Sequence, residues 1–361
     1  MMRIAYVINS LEGGGATAPV PDIANVIRTH GAEPRIFALA RRDGRGLQAM
    51  LDAGLEVEVY EGCEQDRLPA LRWLDARTRA TRQTHIWTSL TRATLLGQLV
   101  GLKRGLPVVS WQHAAWLKPA NRRLLRATQR LSRLWIGDSE CVTDLTARRL
   151  KVGPDRLLCW PIFAADDAAP RAQPWRPGEP VRIGSLGRLH PVKGYGVLMI
   201  ALALLDTGGF GPQTPIEVAI GGEGAQRAEL EAMIARHRLS HVRLVGFVDR
   251  PTEFLADQHL YVQPSLSEGF CIAAHQAMQA GLGVVASAVG EMPYTIVDGL
   301  SGALVPPGDP KALADALARL LRFPEQLGQL GYHSRQRVLR HFGRDGFAER
   351  GGVVMARIAQ L

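Results

Sequence analysis

Residues 184–196 read Gly-Ser-Leu-Gly-Arg-Leu-His-Pro-Val-Lys-Gly-Tyr-Gly, and this stretch decides the fold of the second half of the chain. The stretch begins at the end of a strand-length run, Val181 to Ser185. Its glycines let the backbone approach a bound phosphate closely. A following helix would add free N–H groups and a positive dipole end. Arg188 could offer a planar fork to phosphate oxygens, and Lys193 a movable point charge. The pattern predicts a strand–loop–helix unit that wraps a diphosphate, with solvated surface cations as the alternative.

Strand-length apolar runs alternate with helical stretches on both sides of this loop, which is the pattern of parallel sheets covered by helices. The alternation predicts an α/β chain with a doubly wound domain in each half. The predicted strands of the first half are Arg3–Ile8, Arg35–Leu39, Glu56–Tyr60, His85–Thr88, Val108–Trp111, Leu134–Ile136 and Arg156–Trp160. Those of the second half are Val181–Ser185, Ile216–Ile220, His241–Val245, Leu260–Gln263 and Gly283–Ala286.

A proline-rich segment separates the two halves. Residues 166–180 contain four prolines and almost no aliphatic side chain, which predicts an extended linker. A length of 361 residues also suits two cores better than one. We therefore predict an N-terminal domain over 1–165, a C-terminal domain over 181–340 and a closing helical segment over 341–361.

The formal charge of +9 indicates anionic partners. Six basic residues and no acidic one lie between Lys118 and Arg133. Helical spacing puts Arg122, Arg126, Arg130 and Arg133 on one side, with Leu124, Leu131 and Trp135 on the other, which predicts an amphipathic basic helix. Docking on an anionic membrane surface and a merely solvated helix face both explain it. Nucleic acid is disfavoured because no zinc-finger, RNP or basic-zipper signature accompanies the charge.

Three features that the sequence lacks bear on its cellular location. The longest apolar run, Val197 to Leu205, is about half of the roughly 20 residues that a bilayer crossing needs. The N-terminus lacks the apolar stretch and cleavage site of a secretory signal. The four cysteines have no CxxC spacing, so neither a disulfide framework nor a zinc site is indicated. We expect a cytoplasmic protein, with peripheral attachment to the inner membrane face if the basic helix docks there.

A second glycine cluster follows the first predicted strand. Gly13, Gly14 and Gly15 satisfy G-x-G-x-x-A together with Ala18, ahead of a helix. Such a turn suits a phosphate or a sugar, although a merely tight turn also explains it. A dinucleotide site would want an acid after the second strand, where residues 40–42 read Ala-Arg-Arg. NAD is therefore disfavoured, and NADP stays open.

Three further motifs of the second half follow predicted strands, at the edge where open α/β sheets bind ligands. Residues 221–224, which include Glu223, form a glycine turn, and Gly246-Phe247 ends the next strand. Residues 264–271 lead into a helix that carries Gln276. Glu268 would meet the free N–H groups of that helix, and a plain helix cap explains it about as well.

Together the motifs from Gly184 to Asp309 resemble the large family of retaining GT-B glycosyltransferases known as family 4. Its members show a G-R-x4-K-G loop, a G-x-G turn, a V-x-G-F strand end, a P-S-x-x-E-G-F block and a closing D-G-x-x-G-x-L-V-x-P-G-D run, which here is 298–309. The N-terminal half is similar more loosely, in 13–15, His113 and Asp138-Ser139.

This resemblance implies two Rossmann-like doubly wound domains facing a cleft, the first on the acceptor side and the second binding the donor. It implies retaining transfer of a hexose from a nucleoside diphosphate sugar to a glycan or lipid-linked acceptor, in cell-surface polysaccharide or glycolipid synthesis. No metal and no cofactor beyond the donor are implied. The implied catalytic residues are Arg188, Lys193, Glu268 and His113, and the implied substrate-binding residues are Gly14, Gly15, Glu223, Gly246, Phe247, Gly269, Phe270, Cys271 and Gln276.

Within these sets the resemblance implies separate roles. Arg188 and Lys193 would bind the diphosphate, and Glu268 with the backbone of 269–271 would face the transferred sugar. Gln276 would meet the ribose hydroxyls, and His113 would lie near the donor sugar.

Four positions depart from the family pattern. Gln276 replaces the second glutamate of E-x7-E, Cys271 replaces a glycine, Gly283 a proline and Tyr294 a glutamate. A glutamine loses the charge-assisted bond to ribose, which is about twice as strong as a neutral one. A nucleotide-sugar epimerase and a non-catalytic binder of sugar nucleotides therefore stay as alternatives.

Overall fold

Two parallel β-sheets organise the chain, one in each of two units. The computed structural model describes residues 1–113, 116–207 and 214–361. Unit 1 consists of Met1–Ala164 with Arg344–Leu361, and unit 2 of Ala165–Gly343.

The sheet of unit 1 has the strand order β3-β2-β1-β4-β5-β6-β7, with every neighbouring pair parallel. Its strands are β1 Met2–Ile8, β2 Ala32–Ala38, β3 Glu56–Val59, β4 His85–Ser89, β5 Val108–Gln112, β6 Leu134–Gly137 and β7 Leu157–Cys159. The helices between them are α1 Val20–Thr29, α2 Leu47–Asp52, α3 Arg67–Ala80, α4 Thr91–Arg104, α5 Pro119–Thr128 and α6 Glu140–Leu150. The order reverses between β1 and β4, which is the doubly wound pattern.

The sheet of unit 2 has the order β10-β9-β8-β11-β12-β13 and is also parallel throughout. Its strands are β8 Val181–Leu186, β9 Ile216–Gly221, β10 Val242–Gly246, β11 Leu260–Gln263, β12 Gly283–Ser287 and β13 Gly302–Val305. Its helices are α7 Tyr195–Thr207, α8 Arg227–His237, α9 Pro251–Ala256, α10 Ile272–Gln279, α11 Met292–Thr295, α12 Pro310–Leu321 and α13 Leu327–Phe342. Here the order reverses between β8 and β11.

These sheets confirm the predicted fold class of two Rossmann-like doubly wound domains. Every predicted strand has an observed counterpart, because buried parallel strands read as nearly continuous aliphatic runs. Strand β13 was missed because its four residues begin with a glycine and include only three apolar side chains.

The proline-rich segment 166–180 lies along unit 2. The Asp166 N–H donates to Gln279 Oε1 at 2.7 Å, and the Ala172 N–H donates to the carbonyl of Ala280 at 2.8 Å. Trp175 packs against the core of this unit. The prolines prevent regular structure, but these contacts attach the segment to unit 2, so the segment predicted as an extended interdomain linker is part of this unit.

The last helix, α14 (Arg344–Ile358), belongs to unit 1. The Trp160 indole N–H donates to the carbonyl of Phe347 at 3.0 Å, and the two rings lie 5.1 Å apart. Trp160 in turn stacks on Trp111 at 5.0 Å, so α14 closes an aromatic cluster of unit 1. The segment predicted as a separate C-terminal element therefore divides, with 344–361 completing the first unit.

Replacing Phe347, which is 4% exposed, by alanine should lower the unfolding free energy of unit 1 by about 3 kcal/mol, because the change leaves a cavity beside Trp160. Tryptophan emission during urea unfolding reports this unit, since Trp175 is the one tryptophan of the chain that lies outside it. Val353→Ala, on an exposed position of the same helix, is the control and should change stability by less than about 0.5 kcal/mol. Equal urea midpoints for the two variants would contradict the role given to α14.

Candidate functional site

Two loops of unit 2 meet where the strand order of its sheet reverses. The loop after β8 carries Arg188 and Lys193, and the segment after the neighbouring strand β11 carries Glu268. The carboxyl ends of parallel strands at such a reversal form the usual ligand site of open α/β sheets. The three side chains therefore lie on loops at one edge of the sheet of unit 2.

A buried ion pair joins the two loops. Lys193 Nζ donates to Glu268 Oε1 at 2.7 Å, and the two side chains are 19% and 9% exposed. Ser265 Oγ donates to the same oxygen at 2.6 Å, and Gln263 Nε2 does so at 3.3 Å. Burial on its own lowers the pKa of Lys193, but the negative charge of Glu268, its hydrogen bond and the nearby Cys271 together outweigh burial, so the pKa is raised. Lys193 therefore stays cationic in a largely buried position.

Two glycines let the loops approach this closely. Gly194 has a φ of +68°, and a Cβ there would collide with the carbonyl oxygen of Pro264. Gly222, in the turn after β9, has a φ of +147°, and a Cβ there would collide with the carbonyl oxygen of Gly187. Any other residue at either position would push the connected loops apart.

The other predicted residues of unit 2 lie on the same edge of the sheet. The Leu189 N–H donates to the carbonyl of Glu223 at 2.8 Å, and the Gly222 N–H donates to that of Gly246 at 2.6 Å. Arg188, Glu223 and Phe247 are exposed. The predicted residues from β8, β9, β10 and β11 therefore come together around one set of loops.

Helix α10 begins at this site with an unusual residue. Cys271 has φ 67° and ψ 66°, a left-handed conformation that costs a side-chain-bearing residue energy. It is 7% exposed, its thiol hydrogen-bonds to Glu268, and burial raises the pKa of the thiol. Gln276, which was predicted to meet ribose, lies half-buried on α10.

His275 is a residue of this region that the sequence did not point to. Its ring is fully buried and stacks on Phe270, with the centroids 3.9 Å apart. Nδ1 lies 3.0 Å from the carbonyl of Cys271, and Nε2 lies 3.1 Å from Thr295 Oγ1. Burial lowers its pKa to about 4, so the neutral ring anchors the start of α10 at physiological pH. No motif spacing marks it, and its partner Thr295 lies outside the predicted motifs.

His113 of unit 1 is held by both ring nitrogens. Nε2 lies 2.7 Å from Ser89 Oγ at the end of β4, and Nδ1 lies 3.3 Å from Asp138 Oδ2 just after β6. The side chains of His113 and Asp138 are 7% and 3% exposed. A carboxylate accepts, so Nδ1 carries the proton and Nε2 accepts from Ser89 in the neutral ring. Ser89 was not predicted, because it belongs to no motif and becomes a neighbour only through strand pairing.

The first glycine cluster forms an exposed turn of unit 1. The Gly13 N–H donates to Asp43 Oδ1 at 3.0 Å, and the N–H groups of Thr17 and Ala18 donate to the carbonyl of Gly14. Gly14 and Gly15 are exposed, and helix α1 starts only at Val20. The neighbouring Arg42 pairs with Glu12 and Glu64.

The basic helix is shorter than predicted. Helix α5 ends at Thr128, and residues 129–131 form a 3-10 turn, so Arg130 and Arg133 lie beyond it. Leu125 is the fully buried residue of the helix, whereas Leu124, predicted on the apolar side, is 49% exposed. The exposed neighbours of this helix include Trp116, at 61%. The exposed arginines thus share this stretch of the chain with apolar side chains that reach solvent.

Within 1–113, 116–207 and 214–361, no group of three or more His, Cys, Asp and Glu side chains is placed to hold a metal ion. In the same part of the chain, no helix has both the length and the apolar character to cross a bilayer.

Comparison with solved structures identifies the class of fold. A crystal structure of HepE from Anabaena in complex with UDP-glucose has a TM-score of 0.85 and 19% identity, over 99% of this chain and 100% of that one. Sucrose-phosphate synthase from Thermosynechococcus elongatus has a TM-score of 0.81 and 19% identity over the whole of both chains. The chain therefore has the GT-B fold of glycosyltransferases.

The sequence of the second unit matches a family model. Residues 167–337 match the model of the family described as glycosyl transferases group 1. D-inositol 3-phosphate glycosyltransferase of Corynebacterium jeikeium (strain K411) is 28% identical over 354 residues, which cover 86% of this chain and 84% of that protein. The amylovoran biosynthesis glycosyltransferase AmsK of Erwinia amylovora is 37% identical over 153 residues, covering 39% of this chain and 36% of that protein.

The left-handed conformation of Cys271 predicts an unusual order of stabilities. Cys271→Gly should have an unfolding free energy about 1 kcal/mol above that of Cys271→Ala, because only the alanine variant keeps the Cβ strain. Ala277, buried in the middle of α10, gives the matched control, where glycine should cost about 1 kcal/mol relative to alanine. Thermal and urea unfolding of the three variants and the wild type measure both differences. If the difference in unfolding free energy between glycine and alanine had the same sign at positions 271 and 277, the backbone strain at Cys271 would be contradicted.

Proposed function

We propose that the chain is a retaining, metal-independent glycosyltransferase that moves a hexose from a nucleoside diphosphate sugar to an acceptor hydroxyl. The observation that carries the proposal is the buried Lys193–Glu268 pair at the reversal point of a group 1 domain. It puts a permanent cation and a carboxylate side by side, as a diphosphate joined to a sugar requires. Arg188 adds an exposed guanidinium on the same loop.

In the proposed reaction, the bond between the anomeric carbon and the diphosphate oxygen breaks while the acceptor oxygen bonds to the same face of the sugar. Negative charge builds on the leaving diphosphate, and Lys193 and Arg188 stabilise it most at the transition state. The diphosphate oxygen takes the acceptor proton, so no separate base is required. Glu268 orients the sugar, with the backbone of 269–271, and cation charge from the protein takes the place of a metal.

The remaining predicted residues keep supporting roles in this proposal. Gln276 holds the ribose, while Glu223, Gly246 and Phe247 line the nucleotide side. In unit 1, Gly14 and Gly15 form the acceptor side, and His113 contacts the donor sugar. Since Ser89 occupies Nε2 of His113, that contact requires the serine hydroxyl to turn toward another acceptor.

The names of the relatives support both the donor class and the setting. Structures of HepE contain UDP, UDP with glucose, and UDP-glucose, which favours a UDP-sugar donor here. Amylovoran biosynthesis by AmsK and transfer by D-inositol 3-phosphate glycosyltransferases favour a role in glycan or glycolipid synthesis at the cell surface. None of these names favours the epimerase or the non-catalytic binder.

The surface around α5 supports peripheral attachment to an anionic membrane. Arg122, Arg126 and Arg130 are exposed, the exposed Leu124 lies between them in sequence, and the exposed Trp116 precedes them. Tryptophan and leucine insert at the headgroup boundary while arginines meet anionic lipids. We place the protein on the inner face of the membrane, where a lipid-linked acceptor would be available.

Release of nucleoside diphosphate tests the proposed reaction. With UDP-sugars, an acceptor and EDTA, the wild type should release diphosphate, and Glu268→Gln should lower kcat by roughly 100-fold, because a contact to the reacting sugar acts mainly in the transition state. Gln276→Ala should mainly raise the donor KM, and Gln276→Glu should leave donor binding unchanged or better. Unchanged turnover in Glu268→Gln would remove Glu268 from the proposed reaction, absence of diphosphate release by the wild type would favour the non-catalytic binder, and activity that EDTA abolishes and manganese restores would reject metal independence.

Co-sedimentation with vesicles tests attachment. The variant with Arg122, Arg126 and Arg130 changed to Gln should lose about 3 kcal/mol of binding to anionic vesicles, since each basic residue near the surface contributes about 1 kcal/mol. Changing Arg67, Arg72 and Arg79 on α3, which are also exposed, alters the net charge equally and should have little effect. Binding of the wild type should also weaken with salt. Equal partitioning of the two triple variants would reject this docking surface.

A further inference from the structure

A chain of buried hydrogen bonds runs beneath the candidate site and ends on Glu268. The Leu186 N–H donates to Tyr261 OH at 3.1 Å, and Tyr261 OH donates to Gln263 Oε1 at 2.7 Å. Gln263 Nε2 donates to Ser265 Oγ at 2.8 Å, and Ser265 Oγ donates to Glu268 Oε1 at 2.6 Å. Tyr261, Gln263 and Ser265 are at most 1% exposed, so water does not compete for these bonds.

From Gln263 onward the donors and acceptors of this chain allow one direction, whereas Tyr261 OH also lies 3.2 Å from the carbonyl of Leu186. The Gln263 amide faces Glu268 with its nitrogen, because a reversed amide would set its oxygen 3.3 Å from the carboxylate. Ser265 has one proton, and it accepts from Gln263 while donating to Glu268. Both bonds, and that of Lys193, end on Oε1. The carboxylate is thereby prevented from rotating.

The backbone around Gln263 is fixed to the loop of Lys193. The Leu266 N–H donates to the carbonyl of Val192 at 2.8 Å, and Gly194 packs directly on the carbonyl of Pro264. The end of β11 and the loop after β8 therefore form one rigid frame. Within it, Gln263 and Ser265 decide where the Glu268 oxygens point.

We propose that Gln263 and Ser265 are positioning residues that set the orientation of the Glu268 carboxylate for the transferred sugar. The inference rests on the proposed function. Neither side chain reaches the solvent-facing side of the site, so neither touches the substrate. Their effect passes through Glu268, and a misplacement of about 1 Å at a reacting centre can cost roughly 100-fold in rate.

Kinetics separate positioning from general loss of structure. Gln263→Leu and Ser265→Ala should each lower kcat by roughly tenfold or more, while the dissociation constant of UDP, measured by calorimetry, changes less than about twofold. Ser185→Ala is the matched control, because Ser185 is equally buried but donates to the carbonyl of Val262, at 2.6 Å, and not to Glu268. If Gln263→Leu does not fold, Tyr261→Phe removes the hydroxyl that bonds to the Gln263 amide, together with its contacts to the Leu186 backbone, and should give a smaller fall in kcat. Falls in kcat no larger than that of Ser185→Ala would overturn the inference.

Two further readouts do not respond to a merely structural role. Gln263→Glu places a second carboxyl beside Glu268, so the acid limb of the kcat–pH profile should move to higher pH. In crystals of Gln263→Leu the Glu268 carboxylate should leave Lys193 or take more than one orientation, whereas Ser185→Ala should keep the pair. If the Glu268 carboxylate keeps its single wild-type orientation in Gln263→Leu, the inference is overturned, whether or not the chain is active. A wild type that releases no diphosphate from any nucleotide sugar overturns the proposed function and leaves the crystallographic test of positioning in force.

Discussion

A buried lysine keeps its charge only beside an anion, and this constraint governs the arrangement of unit 2. Taking two charges out of water costs several kcal/mol for each, and their attraction offsets that cost only with close geometry and further hydrogen bonds. Glu268 meets both conditions, since it accepts from Lys193 and from three neutral donors, on Gln263, Ser265 and Cys271. An anionic ligand would therefore meet a cation that the protein has already desolvated and fixed in place.

The sheet and the glycines make this pair possible. Strands β8 and β11 are neighbours only because the strand order reverses between them, so residues 75 positions apart share one edge. Gly194 then removes the last steric obstacle, because no Cβ separates the lysine loop from Pro264. Topology brings the loops to the same edge, and the absence of a side chain lets them touch. The ion pair depends on both.

The sequence predicted those features that are written in contiguous residues. Aliphatic runs identify the strands of both sheets because buried parallel strands need apolar side chains on both faces. The motifs around Lys193 and Glu268 are likewise contiguous, so each residue could be assigned to the site. The ion pair between Lys193 and Glu268 could not be predicted, because a residue that binds diphosphate and a residue that faces the sugar need not contact each other. Gln263 and Ser265 were read only as part of a motif, since their function lies in contacts that sequence spacing does not show.

Features that depend on contacts between distant residues, or on the position where a helix ends, could not be predicted from the sequence. Trp160 and Phe347 lie 187 positions apart, and no local pattern indicates that α14 completes unit 1. The prediction of a basic helix through Arg133 was wrong for a different reason. The helix ends at Thr128, so helical spacing no longer fixes the direction of the later side chains. Arg130 and Arg133 follow the end of the helix, so they do not continue the single basic stripe that helical spacing predicted. A basic surface that continues past a helix end covers more area than a stripe, and area is what attraction to a plane of anionic headgroups requires.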